Sequence, residues 1–251
     1  MTVQRFGRIE SGRYVEIVGD TVRELGGAPW AEGTAPTGVS KALSSVTWLV
    51  PSEASKVVCI GQNYAKHAAE MGKAVPVEPL LFIKPSTALN PTGAAIRIPP
   101  ASAEVHHEAE LGLVIGKRLK NASEAEAMAG IFGLTCVNDV TARDIQKREI
   151  QHTRAKSYDT FACCGPWVVT GLPSADLRVQ CRVNGETRQD GRTSDMVHTP
   201  AKLVSFISQV MTLLPGDVIS TGTPSGVGPI RAGDVVEVEI EGVGILRNLV
   251  E

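Results

Sequence analysis

The apolar runs of this chain are short and are stopped by glycine, proline or an Asn-Gly pair. That pattern builds strands joined by turns and leaves little room for long helices. Val57-Val58-Cys59-Ile60 ends at Gly61 and Leu111 to Ile115 ends at Gly116, each short enough for a buried strand. Leu177 to Val183 alternates with period two and runs into Asn184-Gly185, a strong hairpin signal. Ile131 to Val137 reads as a central strand that delivers Asn138-Asp139 at its end. Val218-Ile219-Ser220, Val235 to Ile240 and Ile245 to Val250 read as closing strands. Helical signals are fewer. Ser123 to Glu126 has capping-box spacing, Ala65 to Met71 stops at Gly72, and Thr199-Pro200 opens a run with Leu203, Val204 and Ile207 at helical spacing. The class is α+β and strand-rich, and the missing strand–helix–strand rhythm argues against a Rossmann fold.

Two units are expected. Residues 1–50 carry short alternating runs punctuated by Ser11-Gly12, Gly19-Asp20 and Gly26-Gly27, the signature of a small N-terminal β domain. Residues 51–251 form the main domain, with Pro51-Ser52 at the boundary. Lys+Arg 25 against Asp+Glu 27 leaves a net charge of −2, which gives no support to a nucleic-acid or anionic-membrane partner. No apolar run reaches a membrane span, and the first twenty residues lack a signal-peptide core. Five cysteines with no CxxC fit buried thiols in a reducing cytoplasm.

Four groups of residues could carry chemistry. Glu108 and Glu110, two apart at the mouth of an apolar strand, point to one face in extended backbone. They are either a solvated strand end or, with Asp139 at the end of another strand, an oxygen site for a hard divalent cation, Mg²⁺ or Mn²⁺. His67 and Glu70 stand at i and i+3 of a helical segment, either a surface ion pair or a general base held by its carboxylate. Arg143 and Gln146, four and seven residues past Asp139, line up behind it if a helix starts there. With Lys84 and Lys156 they are either ordinary surface groups or the recognition set for an anionic substrate. The stretch Thr221 to Gly228 lacks a GK[ST] ending, so it reads as a tight loop offering N–H groups and the Thr223 hydroxyl to a carboxylate.

These segments, taken in order, resemble the fumarylacetoacetate hydrolase superfamily, especially its short acylpyruvase-like and 2-hydroxyhepta-2,4-diene-1,7-dioate isomerase-like members. Gly61-Gln62-Asn63-Tyr64 through His67 and Glu70 is similar to the family's G-x-N-Y-x-x-H-x-x-E, and Phe82-Ile83-Lys84-Pro85 to its F-x-K-P. His106 to Leu111 matches H-x-E-x-E-L, and Asn138 to Gln146 matches N-D-x-T-A-R-D-x-Q. Lys156-Ser157, Asp159-Thr160 and Gly165-Pro166 resemble K-S-x-D-T…G-P, and the Asn184-Gly185 and Thr221 to Gly228 segments complete the set.

The resemblance implies a mixed β-sheet roll with a small N-terminal β extension, one divalent cation held by Glu108, Glu110 and Asp139, and a homodimer. It implies a 2-oxo acid substrate and C–C hydrolysis of an acylpyruvate-type dioxo acid. In that reaction His67 and Glu70 would activate water, Lys156 would steady the enolate, and Arg143, Gln146, Lys84 and Thr223 would position the substrate. Oxaloacetate decarboxylation and hydroxymuconate-type isomerisation use the same apparatus, and a catalytically silent metal-binding dimer is the reading outside enzymes. The segment Glu70 to Val77, with Gly72 and Pro76, is expected to act as a lid.

Overall fold

The structure, a computed structural model, describes residues 2–251. Its largest sheet runs Pro36–Ala42, Thr21–Leu25, Tyr14–Val18, Gln4–Ile9, Ala162–Thr170, Ile131–Asp139, Ala109–Ile115, Val218–Ser220, Lys56–Gly61 and Leu80–Pro85. Neighbours on this path are antiparallel except Val218–Ser220 beside Lys56–Gly61, so the sheet is mixed. Strands in its middle are buried on both faces, which explains why they read as continuous apolar runs. Leu111, Leu113 and Ile115 pack into one core, whereas Val114 packs into the core on the opposite face.

A second, antiparallel sheet runs Glu186–Arg192, Arg178–Val183, Val235–Ile240 and Gly244–Leu249. Here one face is covered, and the period-two pattern holds: Val179, Cys181 and Val183 are buried, as are Val236, Val238 and Ile240. The turn between its first two strands places Asn184 at φ 53° and Gly185 at φ 80°, the left-handed pair that a two-residue hairpin demands. A small third sheet joins Thr141–Ala142, Val105–His107 and Gly228–Ile230.

Both capped helices form. In Glu124–Gly130, Ser123 accepts from the Glu126 amide and Glu126 answers at the Ser123 amide, the reciprocal box. In Pro200–Val210, Thr199 caps the first turn and Leu203, Val204 and Ile207 enter the main core with Ala127. The helix expected at Asp139 does not start there. Residues 141–142 first pair with Val105–His107, and the helix spans Arg143–Arg148. β-branched Thr141 suits that pairing better than a first helical turn.

The N-terminal strands pack around Ile9, Val15 and Val22. They also extend the large sheet, because Gln4–Ile9 pairs with Ala162–Thr170, setting Phe6 opposite Val168. All five cysteines are free and buried. Among the described residues, no helix is long and apolar enough to cross a membrane.

Candidate active site

Glu108, Glu110 and Asp139 are buried, and each brings an oxygen within 4.8 Å of the others. Two antiparallel strands deliver them: Ala109 stands opposite Asn138 in the ladder between Ala109–Ile115 and Ile131–Asp139. Backbone and side chain lock the two strand ends together. The Asp139 amide donates to the Glu108 carbonyl at 2.9 Å, and the Glu108 amide donates to Asn138 Oδ1 at 2.9 Å.

Three buried cations face the three acids, but they are shared unevenly. Arg143 pairs with Glu108, and Lys156 Nζ lies 2.8 Å from Glu108 Oε2 and 2.6 Å from Asp139 Oδ2. Lys84 pairs with Asp139. Glu110 receives neutral donors, Ser220 Oγ at 2.5 Å and the Gly222 amide at 2.7 Å, both on Oε2. The electrostatics follow. Burial pushes the Glu108 carboxyl up, but Lys156 and Arg143 outweigh it and hold it well below the usual range. Burial and the charges of Asp139 and Glu108 push the Glu110 carboxyl up to about 8. Burial pulls the Lys156 ammonium down, yet Asp139 and Glu108 more than offset that and keep it charged.

An all-oxygen donor set with one carboxylate lacking a counter-charge fits a hard divalent cation. Glu108, Glu110 and Asp139 are the residues that can hold it. Glu110 would offer Oε1, since both of its hydrogen bonds fall on Oε2.

One cavity brings together Glu108, Glu110, Asp139, His67, Lys156, Arg143, Gln146 and Thr223. His67 is buried on the helix Ala65–Glu70, and its Nδ1 lies 3.2 Å from Glu70 Oε2. Glu70 itself stands behind His67, off the cavity wall, and also accepts from the Gly226 amide at 3.1 Å. Arg143 Nη1 donates to Gln146 Oε1 at 2.5 Å, so these two act as a pair one turn apart on their own helix, not as a row behind Asp139.

Two residues expected to bind substrate are otherwise engaged. Lys84 is off the cavity wall, with its ammonium donating to the carbonyls of Val140, at 3.0 Å, and Phe161, and paired with Asp139. Two of its N–H groups are spent on those carbonyls, and its charge lies against Asp139. Thr223 lines the cavity, but its hydroxyl proton goes to the Ala109 carbonyl at 2.8 Å. The loop Thr221 to Gly228 likewise gives its amides to carboxylates of the protein itself, Gly222 to Glu110 and Gly226 to Glu70. Gly222 sits at φ 98°, and a Cβ there would come within 2.7 Å of Asn63 Cβ. That close approach lets Asn63 Nδ2 donate to the Thr221 carbonyl at 2.8 Å and hold the loop against the site.

The reading from sequence gave no role to His152 or Phe82 on the wall or to Gln189 behind it, and it reached Met71 and Lys73 only as part of the segment Glu70 to Val77. His152 stands one helical turn before Lys156, a spacing that could have flagged it, and its ring meets Phe82 edge-on at 5.4 Å. Gln189 is a polar residue at a buried position of a strand. It accepts from the Ala109 amide at 2.9 Å and donates to Thr223 Oγ1 at 2.7 Å.

A strand-rich roll with a buried carboxylate triad and a carboxylate-backed histidine defines a class of enzymes built to hold a divalent metal. The family model "Fumarylacetoacetate (FAA) hydrolase C-terminal" matches residues 56–251, and the model "Rv2993c-like, N-terminal" matches residues 3–51. The chain belongs to the fumarylacetoacetate hydrolase family, whose members are typically dependent on a divalent metal. It is 49% identical over 231 residues to Protein Rv2993c of Mycobacterium tuberculosis, covering 91% of this chain and 87% of that protein. It is 42% identical over 201 residues to the mitochondrial oxaloacetate tautomerase FAHD1 of Bos taurus, covering 78% of this chain and 91% of that one. The solved structure of 2-hydroxyhepta-2,4-diene-1,7-dioate isomerase from Mycobacterium marinum superposes with a TM-score of 0.91 at 45% identity, covering 98% of each chain.

Proposed function

We propose that this protein moves a proton at the carbon beside a 2-oxo group, as a tautomerase or isomerase of 2-oxo and 2-hydroxy dicarboxylic acids. The observation that carries the reading is a single cavity holding a carboxylate-backed imidazole and a buried ammonium beside three carboxylates. The names of the relatives, an oxaloacetate tautomerase and a dienedioate isomerase, support it.

When bound at Glu108, Glu110 and Asp139, a divalent cation, Mg²⁺ or Mn²⁺, supplies Lewis-acid polarisation of the 2-oxo group. The chain's own residues supply the rest. His67 Nδ1 is held by Glu70, so Nε2 is the nitrogen left to take the proton from carbon, and Glu70 supports the imidazolium that results. Two N–H groups of Lys156 go to Glu108 and Asp139, and the third can donate to the enolate oxygen as charge develops. Gln146 keeps its amide N–H groups for a substrate carboxylate because its carbonyl oxygen already accepts from Arg143. Return of the proton to oxygen completes a tautomerisation, and return at a distal carbon completes a double-bond shift.

C–C hydrolysis of an acylpyruvate is the second reading, favoured by the Glu70–His67 contact, which also suits activation of water. The homodimer implied by the family is part of the proposal, and sedimentation of the purified protein tests it. The deciding assay runs enol-oxaloacetate, a hydroxymuconate-type diacid and an acylpyruvate with Mg²⁺ and with Mn²⁺ in deuterated water. Metal-dependent uptake of deuterium beside the oxo group without chain cleavage is expected. Cleavage that outpaces exchange would replace the isomerase reading with the hydrolase one.

A further inference from the structure

A second cavity of about 320 Å³ lies beside the small third sheet and shares no lining residue with the first. His107 lines it, together with Arg188, Arg231, Asn184 and Asp234. His107 is 1% exposed, and its Nε2 has no hydrogen-bond partner among the described residues. Such an orphan is uncommon in a folded interior and calls for a ligand.

The protonation of that ring follows from its neighbours. Gln189 Oε1 accepts from the Ala109 amide and Gln189 Nε2 donates to the Pro224 carbonyl, so the amide cannot be flipped. His107 Nδ1, 3.0 Å from Gln189 Oε1, must therefore carry the proton. Nε2 is left as a bare acceptor. A side chain at residue 228 would begin 3.6 Å from Nε2 and cover it, and the residue there is Gly228.

The remaining walls are cationic on balance, two arginines against one aspartate. Asp234 is tied up, accepting from Asn184 Nδ2 and from the Arg231 amide, each at 2.8 Å. Arg188 pairs at the surface with Glu186, where both side chains are wet and the tie is weak. An acceptor at depth between cations selects an unusual ligand, one with negative charge and a hydrogen to give.

We propose that this cavity binds a small oxyanion carrying its own O–H group, hydrogen phosphate or a hydroxycarboxylate, with the O–H donated to His107 Nε2 and the charged oxygens met by Arg188 and Arg231. The test titrates the Mg²⁺-loaded protein, with oxalate saturating the carboxylate centre, with phosphate and glycolate at neutral pH. Sulfate and acetate serve as their counterparts without a proton to donate. Phosphate is expected to bind at least about tenfold tighter than sulfate, or glycolate than acetate, the worth of one buried hydrogen bond. Whichever pair shows the gap identifies the source. The nitrogen resonance of His107 Nε2 should shift on binding, a measurement on the unaltered protein that avoids a variant beside Glu108. The double variant Arg188→Ala/Arg231→Ala should lose the binding and keep its oxalate affinity. Equal affinity for sulfate and phosphate and for acetate and glycolate, absence of binding by every probe, competition by oxalate, or survival of binding in the double variant would each overturn the proposal.

Discussion

The carboxylate triad and the His67–Glu70 pair share one cavity but stand on very different supports. Glu110 and Asp139 sit on strands in the middle of the large sheet, and every residue of Ala109–Ile115 is buried. The histidine stands on a six-residue helix, Ala65–Glu70, too short to be stable by itself. Residues 71–79 after it have no regular structure, and Val77 is 95% exposed. Glu70 ties this helix to the loop at Gly226, across an exposed contact. The carboxylate triad is therefore built into the core, whereas the His67–Glu70 pair rests on a segment able to open locally. That division suits a lid that admits substrate to a site already shaped for the cation.

The comparison breaks most visibly at Glu108. Its carboxylate is the only one paired with Arg143 and shares Lys156 with Asp139, so Glu108→Ala strands the buried Arg143 charge and should cost about 3–5 kcal/mol of stability as well as cation affinity. Glu110→Gln separates the two effects, since the hydrogen bonds to Glu110 come from neutral donors and the side chain has no cation to abandon. Calorimetric titration with Mn²⁺ should show affinity lost in both variants, and thermal melts should show the stability loss in Glu108→Ala alone. Equal melting temperatures would mean that Arg143 re-pairs elsewhere.

His67→Ala should behave in the opposite way, lowering turnover by about 10²–10⁴-fold while leaving Mn²⁺ affinity and stability intact. A drop in metal affinity in that variant would place the histidine among the ligands and dissolve the contrast. Lys156→Met should lower turnover by on the order of a hundredfold and weaken cation selectivity, because Glu108 and Asp139 lose a shared counter-charge. Steady-state kinetics across a Mg²⁺ series reads both.

Glu70→Gln is the mildest, a loss in kcat on the order of tenfold, because the amide can still accept from Gly226 and from His67 but no longer supports a charged ring. Hydrogen exchange over 65–79 should stay unchanged in that variant. Faster exchange there would show that the carboxylate acts mainly by anchoring the helix.

Much of the site was legible from residue types and spacing. Glu108, Glu110 and Asp139 stood at the ends of runs apolar enough to be buried strands, and buried acids seldom lack a partner. His67 and Glu70 were readable because three residues is a helical repeat. The contacts of Lys84 were not legible for a physical reason: a lysine after an apolar strand looks the same whether its ammonium reaches a substrate or turns back to Asp139 and two carbonyls. The row of Asp139, Arg143 and Gln146 failed because two residues of strand pairing, Thr141–Ala142 against Val105–His107, displace the start of the helix.

What the sequence determined by itself was local: where strands end, which helices are capped, which turn closes a hairpin, and which oxygens are available to a hard cation. Those follow from backbone geometry and periodicity over a few residues. Partners distant in sequence were decided by tertiary structure alone, because hydrogen bonds and ion pairs depend on which strand lies next to which. Ser220 reaches Glu110 and Gln189 reaches both His107 and Thr223 only because Val218–Ser220 and the hairpin strands are brought alongside Ala109–Ile115. No spacing rule connects residues so far apart. The uneven sharing of three cations among three acids, which leaves Glu110 as the carboxylate without a counter-charge, arises at that level and has no trace in the order of the residues.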